Sequence, residues 1–149
     1  MLKEFEIAGY DMPCVDLAVN VDVFPKPNGG TGINAMSWQG GGKVATGMVA
    51  AARLGAKCAM IGAVGSDDYG AFCLRDFERH GIDISGMKTR QGETTSLSIV
   101  LSDRETQGRS IVYSGFLSLM PHMWQWNQPS GQKKREPKSS WTPIPTHRK

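Results

Sequence analysis

From residue 4 to residue 80 the apolar residues keep changing period, and that alternation limits the fold more than any other feature of the chain. Residues 4–9 (EFEIAG) and 14–24 (CVDLAVNVDVF) read as strand. In the second run Val15, Leu17, Val19, Val21 and Val23 alternate with Asp16, Ala18, Asn20 and Asp22, giving one apolar and one polar face. PKPNGG, residues 25–30, ends it with turn residues, and a weaker strand or loop carries the chain to Trp38. Residues 43–54 (KVATGMVAAARL) fit a helix whose face of Val44, Gly47, Met48, Ala51 and Ala52 is small enough to lie close on a sheet, and Gly55 stops it. Residues 57–65 (KCAMIGAVG) read as a buried strand. A second helix follows over residues 68–80, with Ser66 and Asp67 as candidate N-caps and Gly81 as its stop. Strand, helix, strand, helix predicts a parallel α/β sheet. Residues 93–101 (ETTSLSIVL) and 109–116 (RSIVYSGF) read as two more strands, joined as a hairpin by a polar loop.

The run GGGK at residues 40–43 stands where the first helix begins. A phosphate-binding P-loop needs Ser or Thr after the lysine, to hold Mg²⁺. Val44 follows Lys43, and no glycine stands five residues before Gly42, so that reading is excluded. The spacing also misses the dinucleotide fingerprint GxGxxG. Gly40, Gly41 and Gly42 let backbone approach a ligand, N–H groups at a helix start point outward, and Lys43 adds a charged donor. Such a place suits hydroxyls or a carboxylate. A glycine turn that merely seats the helix on the sheet explains the same residues equally well. Asp16, on the polar face of its strand, is a carboxylate able to accept hydrogen bonds from two hydroxyls of a polyol.

Composition narrows the classes. The chain of 149 residues suits one ordinary domain, and no stretch is apolar for long enough to span a membrane. MLKEFEIAGYDM carries acids and lacks a long apolar run, so it does not read as a secretory leader. Cys14, Cys58 and Cys73 show no CxxC spacing and each sits in an apolar run, as reduced, buried thiols of a cytoplasmic protein do. His80, His122 and His147 are isolated, so no metal set is expected. The net charge of +3 divides unevenly: residues 1–116 hold 11 Lys+Arg against 13 Asp+Glu, and residues 117–149 hold six against the single Glu136. The basic character therefore belongs to the tail, and nucleic-acid binding by the body is not expected. Five of the eight prolines and three of the four tryptophans also lie in residues 117–149, where no period is visible. That segment reads as a disordered tail, and the change of texture at Phe116 is the kind a frameshift, a gene-model error or a truncation junction produces.

The segments CVDLAVNVDVFPKP, GGGKVATGMVAAARLGAK, AMIGAVGSDDYGAF and HGIDISGM, in that order, resemble the N-terminal half of ribokinase-like (PfkB-type) carbohydrate kinases over roughly residues 5–116. The resemblance implies a partial ribokinase-like, Rossmann-like three-layer α/β domain with a small β-sheet lid, truncated before the C-terminal half. It implies a sugar or nucleoside held between domain and lid, and transfer of the ATP γ-phosphoryl group to a hydroxyl, with ATP and Mg²⁺ required by the intact member. Asp16 matches the family's sugar-hydroxyl aspartate, and Gly41, Gly42 and Lys43 match the stretch lining the sugar. Thr46 stands where asparagine is usual, keeping a hydroxyl but losing the amide's paired groups. Residues 17–36 and 94–116 become lid strands, which in several members pair subunits. Gly62, Gly65, Asp68 and Gly70 match a structural GxVGxDxxG turn. The family's catalytic base, its anion hole and its ATP pocket belong to the C-terminal half, so no catalytic or cofactor residue is assigned in this chain. The implied kinase is inactive as this chain alone; the alternative is a non-catalytic sugar-binding or dimerisation module.

Overall fold

Nine elements follow one another in the computed structural model, which describes residues 4–114. They are β1 (Ile7–Asp11), β2 (Cys14–Val21), β3 (Ile33–Gly41), α1 (Lys43–Arg53), β4 (Cys58–Gly65), α2 (Asp68–Arg79), β5 (Asp83–Arg90), β6 (Ser96–Asp103) and β7 (Arg109–Tyr113). The tail and the boundary at Phe116 lie outside the described residues.

Two sheets form. β1, β4 and β5 make a parallel sheet in the order β1-β4-β5. Both helices lie on one of its faces, where Cys58 and Met60 of β4 meet Ala45 and Met48 of α1 and Phe77 of α2. Gly9 of β1 permits this approach, since a Cβ there would lie 2.6 Å from Met48 Cγ. On the opposite face Tyr10 and Ile61, paired in register, remain 57% and 46% exposed. The described residues thus provide two layers of an α/β domain. α1 ends at Gly55 and α2 at Gly81, both at positive φ (99° and 71°), where glycine carries no steric penalty.

The second sheet has the order β3-β2-β6-β7, with β2 and β6 parallel and the outer pairs antiparallel. Only Met12 and Pro13 separate β1 from β2, so the chain passes directly from one sheet to the other. The alternation of β2 has its expected effect as far as Val21, where the strand ends, whereas Val23, expected on the same apolar face, lies beyond it and is exposed. Val15, Val19 and Val21 are buried, and Val15 packs with Val64 and Cys73 against Tyr69, Phe72 and Leu74. Asp16 faces the other way, level with Gln39 of β3 and Ser98 of β6.

Local readings change in several places. The stretch before Trp38 is a nine-residue strand, β3, because β2 offers it a full antiparallel partner from Cys14 to Val21. β1 begins at Ile7 rather than at Glu4 and continues to Asp11. β5 was not expected at all: DISGMKTR has no clean alternation, and it is a strand because β4 supplies a parallel edge. The carboxylate of the GxVGxDxxG turn is also Asp67 rather than Asp68. Asp67 Oδ1 accepts from Gly70 N–H (2.8 Å) and Oδ2 from Thr95 N–H (2.9 Å). A Cβ at Gly65 would strike the Glu93 carbonyl and one at Gly70 the Gly65 carbonyl, which is why this turn takes glycine.

Candidate functional site

The three glycines before α1 each lie against a different aspartate. A Cβ at Gly40 would sit 2.6 Å from Asp76 Oδ2, at Gly41 2.5 Å from Asp16 Oδ2, and at Gly42 2.9 Å from Asp11 Oδ2. Gly42 also has φ 108°, in the region that favours glycine. The run is therefore a place where carboxylates from β1, β2 and α2 close on bare backbone. Both open readings of the run find support here: the glycines seat the helix, and they also shape a polar cleft.

That cleft has a volume of about 790 Å³ and opens between the two sheets. Asp11, Asp16, Gly42, Lys43, Thr46 and Ser98 supply its polar lining, with Met12, Cys14 and Ile111 beside them. Of the residues singled out from the sequence, Asp16, Gly42, Lys43 and Thr46 come together on it. Gly41 is buried beneath the Asp16 carboxylate and borders a smaller cavity of about 70 Å³ behind the cleft, against Cys73, Asp76 and Phe77. Its contribution to the cleft is the room it leaves for Asp16.

Asp16 is partly buried, and the Cys14 thiol donates to its Oδ1 at 3.5 Å. Asp16 lines the cleft together with Ser98, which the register sets opposite it. Burial, with the nearby Asp16 charge, pushes the Cys14 thiol up to about 11. Cys14 is therefore a neutral donor rather than a nucleophile at physiological pH.

Asp11 was not anticipated. Its Oδ2 accepts from the N–H groups of Val44 (3.1 Å) and Ala45 (3.0 Å), and its Oδ1 from Met12 N–H (2.9 Å). The first-turn donors of α1, expected to face a ligand, are thus taken by a carboxylate of the chain itself. Gly42 at the N-cap position has no side chain to cap with, and Asp11 does so from 33 residues away. Nothing local in YDMP marks this role, because the partner lies beyond a whole strand pair. Ser98 and Ile111 were missed for the same reason, being brought in by the pairing of β2, β6 and β7.

Among the described residues no three His, Cys, Asp or Glu groups are placed to hold a metal ion, and the α1 N-terminus already carries a carboxylate.

The family model described as "pfkB family carbohydrate kinase" matches residues 6–128. An ATP-dependent ribose-1-phosphate kinase from Halopiger xanaduensis is 33% identical over 88 residues, which cover 59% of this chain and 30% of that protein. A nucleoside kinase from Methanothermobacter thermautotrophicus is 33% identical over 115 residues, 77% of this chain and 37% of its own length. The crystal structure of a ribokinase from Thermotoga maritima superposes with a TM-score of 0.62 at 26% identity, covering 74% of this chain and 36% of that one. The chain therefore spans about a third of the length of these relatives. With an α/β sheet, a four-stranded lid sheet and a polar cleft between them, and with the family model matched over most of its length, the chain belongs to the pfkB family of carbohydrate kinases.

Proposed function

We propose that this chain forms the acceptor-binding wall of a sugar or nucleoside kinase, whose intact form moves the γ-phosphoryl group of ATP, with Mg²⁺, onto a hydroxyl. The observation that carries the reading is the Asp16 carboxylate, seated over Gly41 and facing a cleft it shares with Lys43, Thr46 and Ser98. Asp16 accepts hydrogen bonds from two neighbouring hydroxyls, Lys43 and Thr46 donate to others, and Gly41 and Gly42 keep the floor low. Phosphoryl transfer further needs a base at the acceptor hydroxyl and positive charge at the phosphate. In the family those belong to the C-terminal half, and the described residues of this chain supply groups for the acceptor side. The names of the relatives, which cover ribose-1-phosphate, nucleoside and ribose kinases, support the acceptor class. The reduced, buried cysteines fit a cytoplasmic setting.

Calorimetric titration with ribose and with a nucleoside tests the cleft. Asp16→Asn is expected to weaken binding at least about tenfold, since a charge-assisted acceptor becomes a neutral one. Equal binding by Asp16→Asn and the wild type would remove the reading. ATP-dependent phosphorylation by the purified 149-residue chain would overturn the assignment of the acceptor side alone.

A second reading, a dimerisation module, is favoured by Ile33, Met36 and Trp38 of β3 and Val112 of β7, all exposed. Trp38, Met36 and Val112 share the apolar face of the lid sheet with Leu17 and Ile99. Two such faces packed together form a homodimer. Sedimentation at micromolar concentration tests it, and a strict monomer excludes it.

A further inference from the structure

We propose that Asp11 is a specificity-determining residue that bars anionic groups from the α1 end of the cleft, so that this wall takes the uncharged, hydroxyl-bearing part of its ligand. The inference rests on reading the cleft as the sugar site, and it adds which part of a ligand that site accepts.

A helix N-terminus preceded by glycines ordinarily attracts phosphate or carboxylate, because several N–H groups and the positive end of the helix dipole meet there. Here the seat is filled from within. Asp11 Oδ2 holds the N–H groups of both Val44 and Ala45, and Oδ1 is fixed by Met12 N–H, so the carboxylate is anchored by three backbone donors. Gly42 leaves no Cβ between that carboxylate and the turn. A ligand anion arriving at this point would have to displace Asp11 and then lie beside it. The Asp16 carboxylate lines the same cleft, and Lys43 is the one cationic residue among those that line it. Two fixed negative charges against one flexible positive charge oppose a phosphate or a sugar acid there, whereas hydroxyls, which both donate and accept, meet Asp16, Ser98, Thr46 and Lys43 without a charge conflict.

The test is an amide-resolved NMR titration of the 149-residue chain with inorganic phosphate. In the wild type the Val44 and Ala45 amide signals are expected to stay in place through millimolar phosphate. Asp11→Ala is expected to let phosphate shift both signals saturably, with an affinity at least about tenfold above any wild-type response at those amides. Asp11→Asn keeps an acceptor oxygen without the charge and provides the same comparison if the alanine variant does not fold. A saturable shift of Val44 and Ala45 in the wild type overturns the proposal, as does a folded variant with no gain. A parallel titration with ribose, read at Asp16, Thr46 and Ser98, separates the two ideas. If ribose shifts nothing while the phosphate arms behave as stated, the sugar reading fails and the exclusion of anions by Asp11 stands.

Discussion

Gly62 and Gly41 would each collide with an aspartate if given a side chain, and the two collisions differ in kind. At Gly62, with φ 153°, a Cβ runs into the backbone carbonyl of Asp11, which the β1–β4 pairing holds still. At Gly41 it meets the Asp16 carboxylate, which can swing away. Gly62→Ala is therefore expected to cost about 1–3 kcal/mol of stability. Gly41→Ala is expected to cost less than about 1.5 kcal/mol, yet to weaken sugar binding at least about tenfold by moving the acceptor. Thermal melts and titrations of both variants check the contrast, and the reverse order would contradict the geometry. The thiols provide a second check at this scale. Burial raises all three, Cys14 to about 11 and Cys73 to about 12, with the charge of Asp16 adding at Cys14. At pH 7 the thiolate fraction of Cys14 is on the order of one in ten thousand, so a disulfide reagent is expected to label the native chain slowly and the unfolded chain at once. The cysteines were legible from their apolar surroundings. The pairing of these glycines with aspartates was not, because Asp11, Asp16 and Asp76 come from three separate elements.

The turn between β4 and α2 shows how one carboxylate ties elements together. Asp67 caps α2 through Gly70 and holds Thr95 just before β6, while Thr95 Oγ1 accepts from Gly65 N–H at 2.9 Å. Burial pushes the Asp67 carboxyl up, but hydrogen bonds from Gly70 N–H and from Thr95 outweigh it and hold the group below the usual carboxylate range. A carboxylate depressed in the folded state stabilises the fold above its unfolded pKa, and that contribution is lost as pH falls through the folded value. Stability is thus expected to fall as pH drops from about 5 through and below the ordinary carboxylate range, with a shallower fall in Asp67→Asn. Asp67→Ala at neutral pH is expected to cost about 1 kcal/mol, the usual worth of a helix cap. Denaturant titrations across that range decide it; an unchanged pH slope in Asp67→Asn would assign the acid sensitivity to other groups. Asp103, which binds Thr106 through both its hydroxyl and its N–H, is held low in the same way and is the next candidate. Here the glycine spacing marked the turn and, counted from Gly62, already sets its acid at position 67; the structure adds Thr95, a helix and a strand further on, as that carboxylate's second partner.

Across the whole molecule the two faces of the β1-β4-β5 sheet fare differently. Met60 is 0% exposed under α1 and α2, whereas Ile61 next to it is 46% exposed on the opposite face. Met60→Ala is expected to cost about 2–5 kcal/mol, and Ile61→Thr less than about 1 kcal/mol, measured on the 149-residue chain. A large cost for Ile61→Thr would mean that something covers this face in solution. The period-two run of β2 and the small-faced helix α1 were readable because each element's own side-chain spacing encodes which side is buried. The family resemblance drawn from GGGKVATG and its flanking segments held for the same reason, since local order and spacing are what it compares. By itself, then, the sequence determined the α/β class, the helix limits at Gly55 and Gly81, the buried thiols and the place of Asp16. Tertiary structure alone decided that β3 is a full strand, that DISGMKTR is one at all, and that Asp11 fills the start of α1. Those outcomes depend on hydrogen-bond partners tens of residues away, and an unpaired backbone edge or helix end carries no mark in its own residues of what will satisfy it.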